Sequence, residues 1–113
     1  MSRGAQGLRA WLLQRVTAVY LGLFTLYLLL HFLISPPAAY SQWSAWAGSP
    51  LVAIGLALYV IAVLLHAWVG MRDVLIDYVH PIGIRLTLLG IMAFGLLGCG
   101  LWALRVLLLN SAL

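Results

Sequence analysis

Three apolar runs, near 16–34, 51–72 and 86–109, leave this chain few folds to adopt. Each is close to the roughly 20 residues that an α-helix needs to cross a hydrocarbon core at about 1.5 Å per residue. Inside lipid every backbone N–H and C=O must find its partner within the structure, so runs of this length are helices rather than open strands. Of 113 residues, 65% are hydrophobic and 7% charged. A water-soluble domain of that size keeps much of its surface in solvent and could not hide them. The expectation is an all-α membrane protein, a single three-span domain over residues 1–113 with little protein outside the bilayer.

The formal charge of +4 rests on arginine alone, because the chain has neither Lys nor Glu. These arginines do not cluster as a nucleic-acid surface would require, and no nucleic-acid partner is expected. They follow the positive-inside rule instead. Arg3, Arg9 and Arg15 precede the first run, Arg72 and Arg85 flank the link between the second and third, and the loop 35–50 carries no charge. The N-terminus is therefore expected in the cytoplasm and the C-terminus in the periplasm, with Arg105 snorkelling to headgroups at the outer end. The first run is longer than the apolar core of a usual signal sequence and reads as a retained span. The segment before it lacks the long Arg/Ser-rich stretch of an organellar transit peptide, so a bacterial inner membrane is expected.

In the outer loop, Pro36-Pro37 close the first span and Pro50 suits the first turn of the second. Trp43 and Trp46, three apart, share a helix face and with Tyr40 suit an aromatic belt at the interface. A single cysteine, Cys99, excludes an intramolecular disulfide and a cysteine-built cluster. Its neighbours Gly95, Gly98 and Gly100 suggest a surface where another helix backbone comes close. The hydroxyls of Thr17, Thr25 and Thr87 can be satisfied locally, which leaves His66 as the one ionisable group well inside a span.

A histidine at that depth is expensive and so a functional candidate. Two readings fit it: an imidazole hydrogen-bonded to a neighbouring helix, or a metal or haem ligand. His31 lies near the outer end of span one, about 15 Å from the level of His66 by helical rise, and His80 lies beyond the inner edge. Neither is level with His66, so a six-coordinate haem on His66 takes its opposite ligand from another chain. The second span should run on as helix past Arg72, Asp73 and Asp77 until Pro81, since the residue before a proline is biased away from helix. His66, Gly70, Asp73 and Asp77 then share one stripe, with Gly70 leaving room beside the imidazole. At the end of that stripe Tyr78 offers a phenolic donor and Asp77 an acceptor. That pairing suits a quinone headgroup, and it equally suits the polar end of an interfacial helix.

The run His66-Ala67-Trp68-Val69-Gly70-Met71, followed by Asp77-Tyr78-Val79 and Pro81, resembles the hydrophobic membrane-anchor D subunits of bacterial succinate dehydrogenase, part of respiratory complex II. Arg15-Val16-Thr17-Ala18 is a second match at the inner end of span one. The resemblance covers nearly the whole chain, with its specificity in these two segments. It implies that His66 is an axial ligand of a haem b shared with a second, C-type membrane anchor, and that Arg15 lies near the haem propionates. Tyr78 and Asp77 are then the quinone-binding residues, for ubiquinone or menaquinone. The iron–sulfur and flavoprotein subunits are the implied soluble partners, and succinate:quinone oxidoreduction the implied activity.

No flavin or dicarboxylate site is expected in this chain, which lacks a dinucleotide-binding glycine fingerprint. Its part is positioning, while the cofactors carry the chemistry. The alternative is a non-redox membrane protein, such as a transporter protomer or an assembly subunit. Transporters usually show broken helices or paired polar groups at mid-membrane depth, and this sequence shows neither.

Overall fold

The computed structural model describes the backbone of residues 3–110 and the side chains of residues 7–110; the side chain of Arg3 therefore lies outside the described residues. These residues form four helices and no strand: α1 (Arg3–Ile34), α2 (Tyr40–Gly48), α3 (Pro50–Tyr78) and α4 (Ile82–Asn110). Helices α1, α3 and α4 are long and apolar enough to cross a membrane, as the three apolar runs require. All three begin before those runs, and α3 and α4 also outlast theirs. Hydropathy marks where lipid contact begins, whereas the backbone ladder continues as long as helix formers such as Leu8, Ala10, Leu12 and Leu13 sustain it.

The boundaries follow from local chemistry. The Ser35 N–H still bonds His31 O at 2.8 Å before Pro36-Pro37 stop α1. Ser49 separates α2 from α3 in an extended conformation, and its hydroxyl donates to Trp46 O at 2.7 Å. Pro50 then opens α3 at the position where a missing N–H costs nothing. At the other end α3 stops at Tyr78, with the Val79 N–H on Leu75 O at 3.0 Å.

Helix α3 is the spine. Both α1 and α4 pack along it, and they make no close backbone approach to each other. The α1–α3 seam is drawn tight at Gly55, where a Cβ would stand 2.8 Å from the Phe24 ring. Beside it the Tyr20 hydroxyl donates to Gly55 O at 2.6 Å. The Thr25 hydroxyl does not fold back on its own helix; it pairs with the Tyr59 hydroxyl across the seam at 2.8 Å. Thr87 does bond locally, to Gly83 O at 2.7 Å. On the α3–α4 side, Gly100 is buried and the Leu64 side chain occupies the space a Cβ would need. Gly95 and Gly98 face open space, so of the glycine stretch only Gly100 serves packing within the chain.

Helix α2 lies across the end formed by the α1–α2 link and the end of α4. Trp46 stacks on His31 with ring centroids 4.4 Å apart, and Tyr40 stacks on Trp43 at 6.2 Å. The Asn110 amide donates to Ser44 O at 3.0 Å, while the Ser44 hydroxyl bonds the Asn110 side-chain oxygen. Gly48 abuts the Asn110 backbone carbonyl, which cannot rotate aside as a side chain can. Gly48→Ala is therefore expected to force α2 off α4 and cost about 1–3 kcal/mol. Thermal unfolding in detergent checks this, and an unchanged midpoint would show that the end of α4 yields freely.

Few side chains are buried: Thr17, Ala47, Ala53, Ala62, Val69 and Met92 among the described residues. Large apolar groups such as Phe94, 79% exposed, point outward all round. Such a surface is stable only against lipid or another apolar helix.

Candidate functional site

Antiparallel packing of α1 on α3 brings Thr17 and His66 to one level. Thr17 is 5% exposed, the one buried polar residue among those described. Its hydroxyl lies 2.8 Å from Leu13 O and 3.1 Å from Gln14 O in the preceding turn. The same oxygen is 3.1 Å from His66 Nδ1. The other ring nitrogen, Nε2, is 3.5 Å from the Gln14 side-chain nitrogen. Gln14 Oε1 is buried without a hydrogen-bond partner. The imidazole is thus tethered on its Nδ1 edge and only loosely met on its Nε2 edge.

Because α1 and α4 make no close backbone approach to each other, a groove of about 700 Å³ lies over α3, with lining residues from both. His66, Ala67, Gly70, Met71, Val74 and Leu75 form its floor, Gln14 one wall, and α4 residues including Met92, Gly95 and Cys99 the other. Gly70 keeps the floor open one turn from His66, where a Cβ would stand 3.4 Å from the Gln14 side-chain nitrogen. Among the described residues no set of three His, Cys, Asp or Glu side chains could enclose a metal ion.

Tyr78 sits about 120° round α3 and roughly 18 Å along it from His66. That places it on the axis of the stripe that floors the groove, one turn beyond Val74 and Leu75. Asp77 lies about 20° from His66, at the edge of the same stripe. Both are exposed, Tyr78 by 78%. Their end of α3 is fastened by Arg85, whose guanidinium donates to Val79 O at 2.8 Å and Ile76 O at 3.1 Å. Arg85 thereby satisfies carbonyls that a helix C-terminus leaves orphaned.

Arg15 does not face His66. It lies about 160° round α1 from Thr17, is exposed, and carries its guanidinium over the Trp11 ring at 5.8 Å. It shares a smaller cleft with Gln14, Arg72 and Asp73. Arg72 pairs with Asp73 at 3.0 Å. His31, fourteen residues or roughly 21 Å along α1 from Thr17, belongs to an aromatic cluster with Trp46 and Phe32 at the α2 end of the molecule. His80 is exposed beyond α3, and Arg105 lies over Trp102 at 5.6 Å. Cys99 is exposed on the groove wall.

Sequence reasoning missed Gln14, Thr17 and Arg85 as parts of the site. A signal for Thr17 was present. Counting from the segment that joins the first two spans, Thr17 is seventeen residues from Ile34 and His66 sixteen from Pro50, so the two stand at nearly equal depth. No comparable count exposes Arg85, whose role depends on the fold of the α3–α4 link.

Residues 2–101 match the family described as succinate dehydrogenase/fumarate reductase transmembrane subunit. The succinate dehydrogenase hydrophobic membrane anchor subunit of Coxiella burnetii (strain RSA 493 / Nine Mile phase I) is 32% identical over 102 residues, 90% of this chain and 89% of that protein. With three helices suited to crossing a bilayer, these similarities are consistent with a multi-pass protein of a bacterial inner membrane, and the transporter alternative falls away. The chain belongs to the transmembrane subunits of the succinate dehydrogenase/fumarate reductase family, as a membrane anchor within that enzyme complex.

Proposed function

We propose that this chain supplies one axial ligand of a b-type haem through His66 and part of a quinone site through Tyr78 and Asp77. The observation that carries the reading is the tethered His66 imidazole at the floor of an apolar groove of about 700 Å³. Its lining fits a haem: one imidazole opening onto an apolar groove, with a glycine one turn away that leaves room beside the ring. A further protein ligand to that haem would come from the C-type partner anchor, because no other histidine of this chain is level with His66. A bound haem would supply one-electron storage beside the quinone site. Arg15 pairs with no carboxylate among the described residues, which leaves its charge available to a propionate at the inner surface.

Tyr78 donates a hydrogen bond to a quinone carbonyl oxygen, and Asp77 passes protons to it as ubiquinone or menaquinone is reduced. Both side chains project beyond the groove, so the remaining walls of that site come from other subunits. With the N-terminus and the α3–α4 link in the cytoplasm, the iron–sulfur subunit docks at this end and delivers electrons that the flavoprotein takes from succinate.

The test is purification of the complex through a tag on this chain, expressed with its native neighbours. A reduced-minus-oxidised spectrum with a b-type band, together with flavoprotein and iron–sulfur bands on a gel, is the expected result. A colourless preparation with both soluble partners present would remove the haem assignment and leave only the anchoring role.

A further inference from the structure

We infer that Thr17 is the positioning residue of His66: it fixes the imidazole as the Nδ1–H tautomer and leaves the Nε2 lone pair as the ligating edge. The inference rests on the proposed haem role of His66 and adds to it a residue on a different helix. A threonine hydroxyl has one hydrogen and two lone pairs. Its shortest contact, 2.8 Å, is to Leu13 O, a carbonyl that can only accept. Folding back onto the i−4 carbonyl is a familiar use of threonine within helices. With the hydrogen spent there, the oxygen can only accept from its neighbour 3.1 Å away, so His66 Nδ1 carries a proton and donates it.

The opposite edge leaves Nε2 without a firm partner. His66 Nε2 faces the Gln14 side-chain nitrogen at 3.5 Å. The contact is long and Gln14 also lines the groove, so Gln14 covers the ligating edge without holding it. The Thr17 side is different in kind, being buried at 5% exposure and bonded in its own helix turn.

For a metal-binding histidine this division of labour has a known consequence. The non-ligating N–H is anchored to an acceptor, which sets the tautomer, the ring angle and the basicity of the other nitrogen, and losing that acceptor typically costs about 10–100-fold in affinity. Here the acceptor is a hydroxyl on α1, so the rotational setting of a ligand on α3 depends on the α1–α3 seam.

The decisive comparison uses the purified complex carrying Thr17→Val, Thr17→Ser or His66→Ala. Valine keeps the shape and removes the oxygen; serine keeps the oxygen and removes a methyl. Two readouts are taken: the g-values of the oxidised low-spin haem by electron paramagnetic resonance, and the rate of haem loss to an excess of a haem-free globin. Thr17→Val is expected to shift the g-values and speed haem loss about 10–100-fold, while Thr17→Ser stays near the parent in both. Wild-type g-values and haem loss in Thr17→Val would overturn the inference, as would equal damage in the valine and serine variants, which would mark a packing role. Should Thr17→Val shed its partner subunits, Thr17→Ala read against Thr17→Ser applies the same two criteria. His66→Ala separates the two levels of argument: haem retained in that variant sinks the ligand assignment itself, whatever Thr17 does.

Discussion

Replacing His66 with alanine is expected to remove the b-type absorbance of the purified complex while the three long helices stay inserted. The seam between α1 and α3 does not depend on the imidazole. It is held further out by Tyr20 on Gly55 O at 2.6 Å and Thr25 on Tyr59 at 2.8 Å, and by Phe24 seated against Gly55. Nor does the substitution strand a buried donor on α1, because Thr17 keeps its 2.8 Å bond to Leu13 O. Gln14 loses only a contact at 3.5 Å. A buried donor left unsatisfied would cost about 1–3 kcal/mol, and this change avoids that penalty. What disappears is the one imidazole opening onto the groove, and no other histidine of the chain is level with it. The difference spectrum, normalised to subunit bands on a gel, should therefore lose its b-type band almost completely rather than shift it. A band of undiminished height with normal subunit ratios would mean that His66 is a hydrogen-bonded packing histidine and that both axial ligands lie elsewhere.

That His66 stands out in the sequence, while Thr17 emerges only from a depth count across two helices, is a matter of period. Hydropathy reports solvent, so the three lipid-facing runs and the lone imidazole inside one of them stand out without any knowledge of packing. The stripe from His66 through Gly70 to Asp77 follows from 100° per residue on one helix, and α3 runs unbroken across it as Pro50–Tyr78. Contacts between helices carry no such signature. Thr25 was expected to bond its own turn and instead bonds Tyr59, because the seam brings a second hydroxyl within 2.8 Å. The glycines near Cys99 look alike in sequence, yet only Gly100 meets Leu64, while Gly95 and Gly98 face open space. Arg15 and Thr17 stand about 160° apart on α1, but only packing decides which of them meets α3: it buries Thr17 and leaves the Arg15 guanidinium over Trp11. One-helix geometry was readable; the rotation of one helix against another was not.

That same rotation makes the Tyr78 hydroxyl a sharp test of the quinone reading. Tyr78 lies on the groove axis, 78% exposed at the end of α3, and the turn that carries it is capped independently by Arg85 on Ile76 O and Val79 O. Removing one oxygen from so exposed a ring should leave stability within about 0.5 kcal/mol, as is usual at such positions. Tyr78→Phe is therefore expected to change chemistry without changing assembly. If the phenol donates to the quinone carbonyl as the ring is reduced, its loss removes a hydrogen bond that strengthens as charge develops on that oxygen. Positioned proton donors contribute about 10²–10⁴-fold to such steps. Asp77 and water can replace part of the proton supply, which places the expected fall in quinone reduction near the lower bound, about 10²-fold. Succinate oxidation coupled to an artificial soluble acceptor draws electrons before they reach this chain and should be unaffected. The two rates, measured on one preparation, separate the possibilities cleanly. A selective loss of quinone reduction assigns the hydroxyl to the quinone. Equal losses in both would place Tyr78 in the docking of the soluble subunits, and no loss in either would leave it as an interfacial anchor whose ring, not its oxygen, matters.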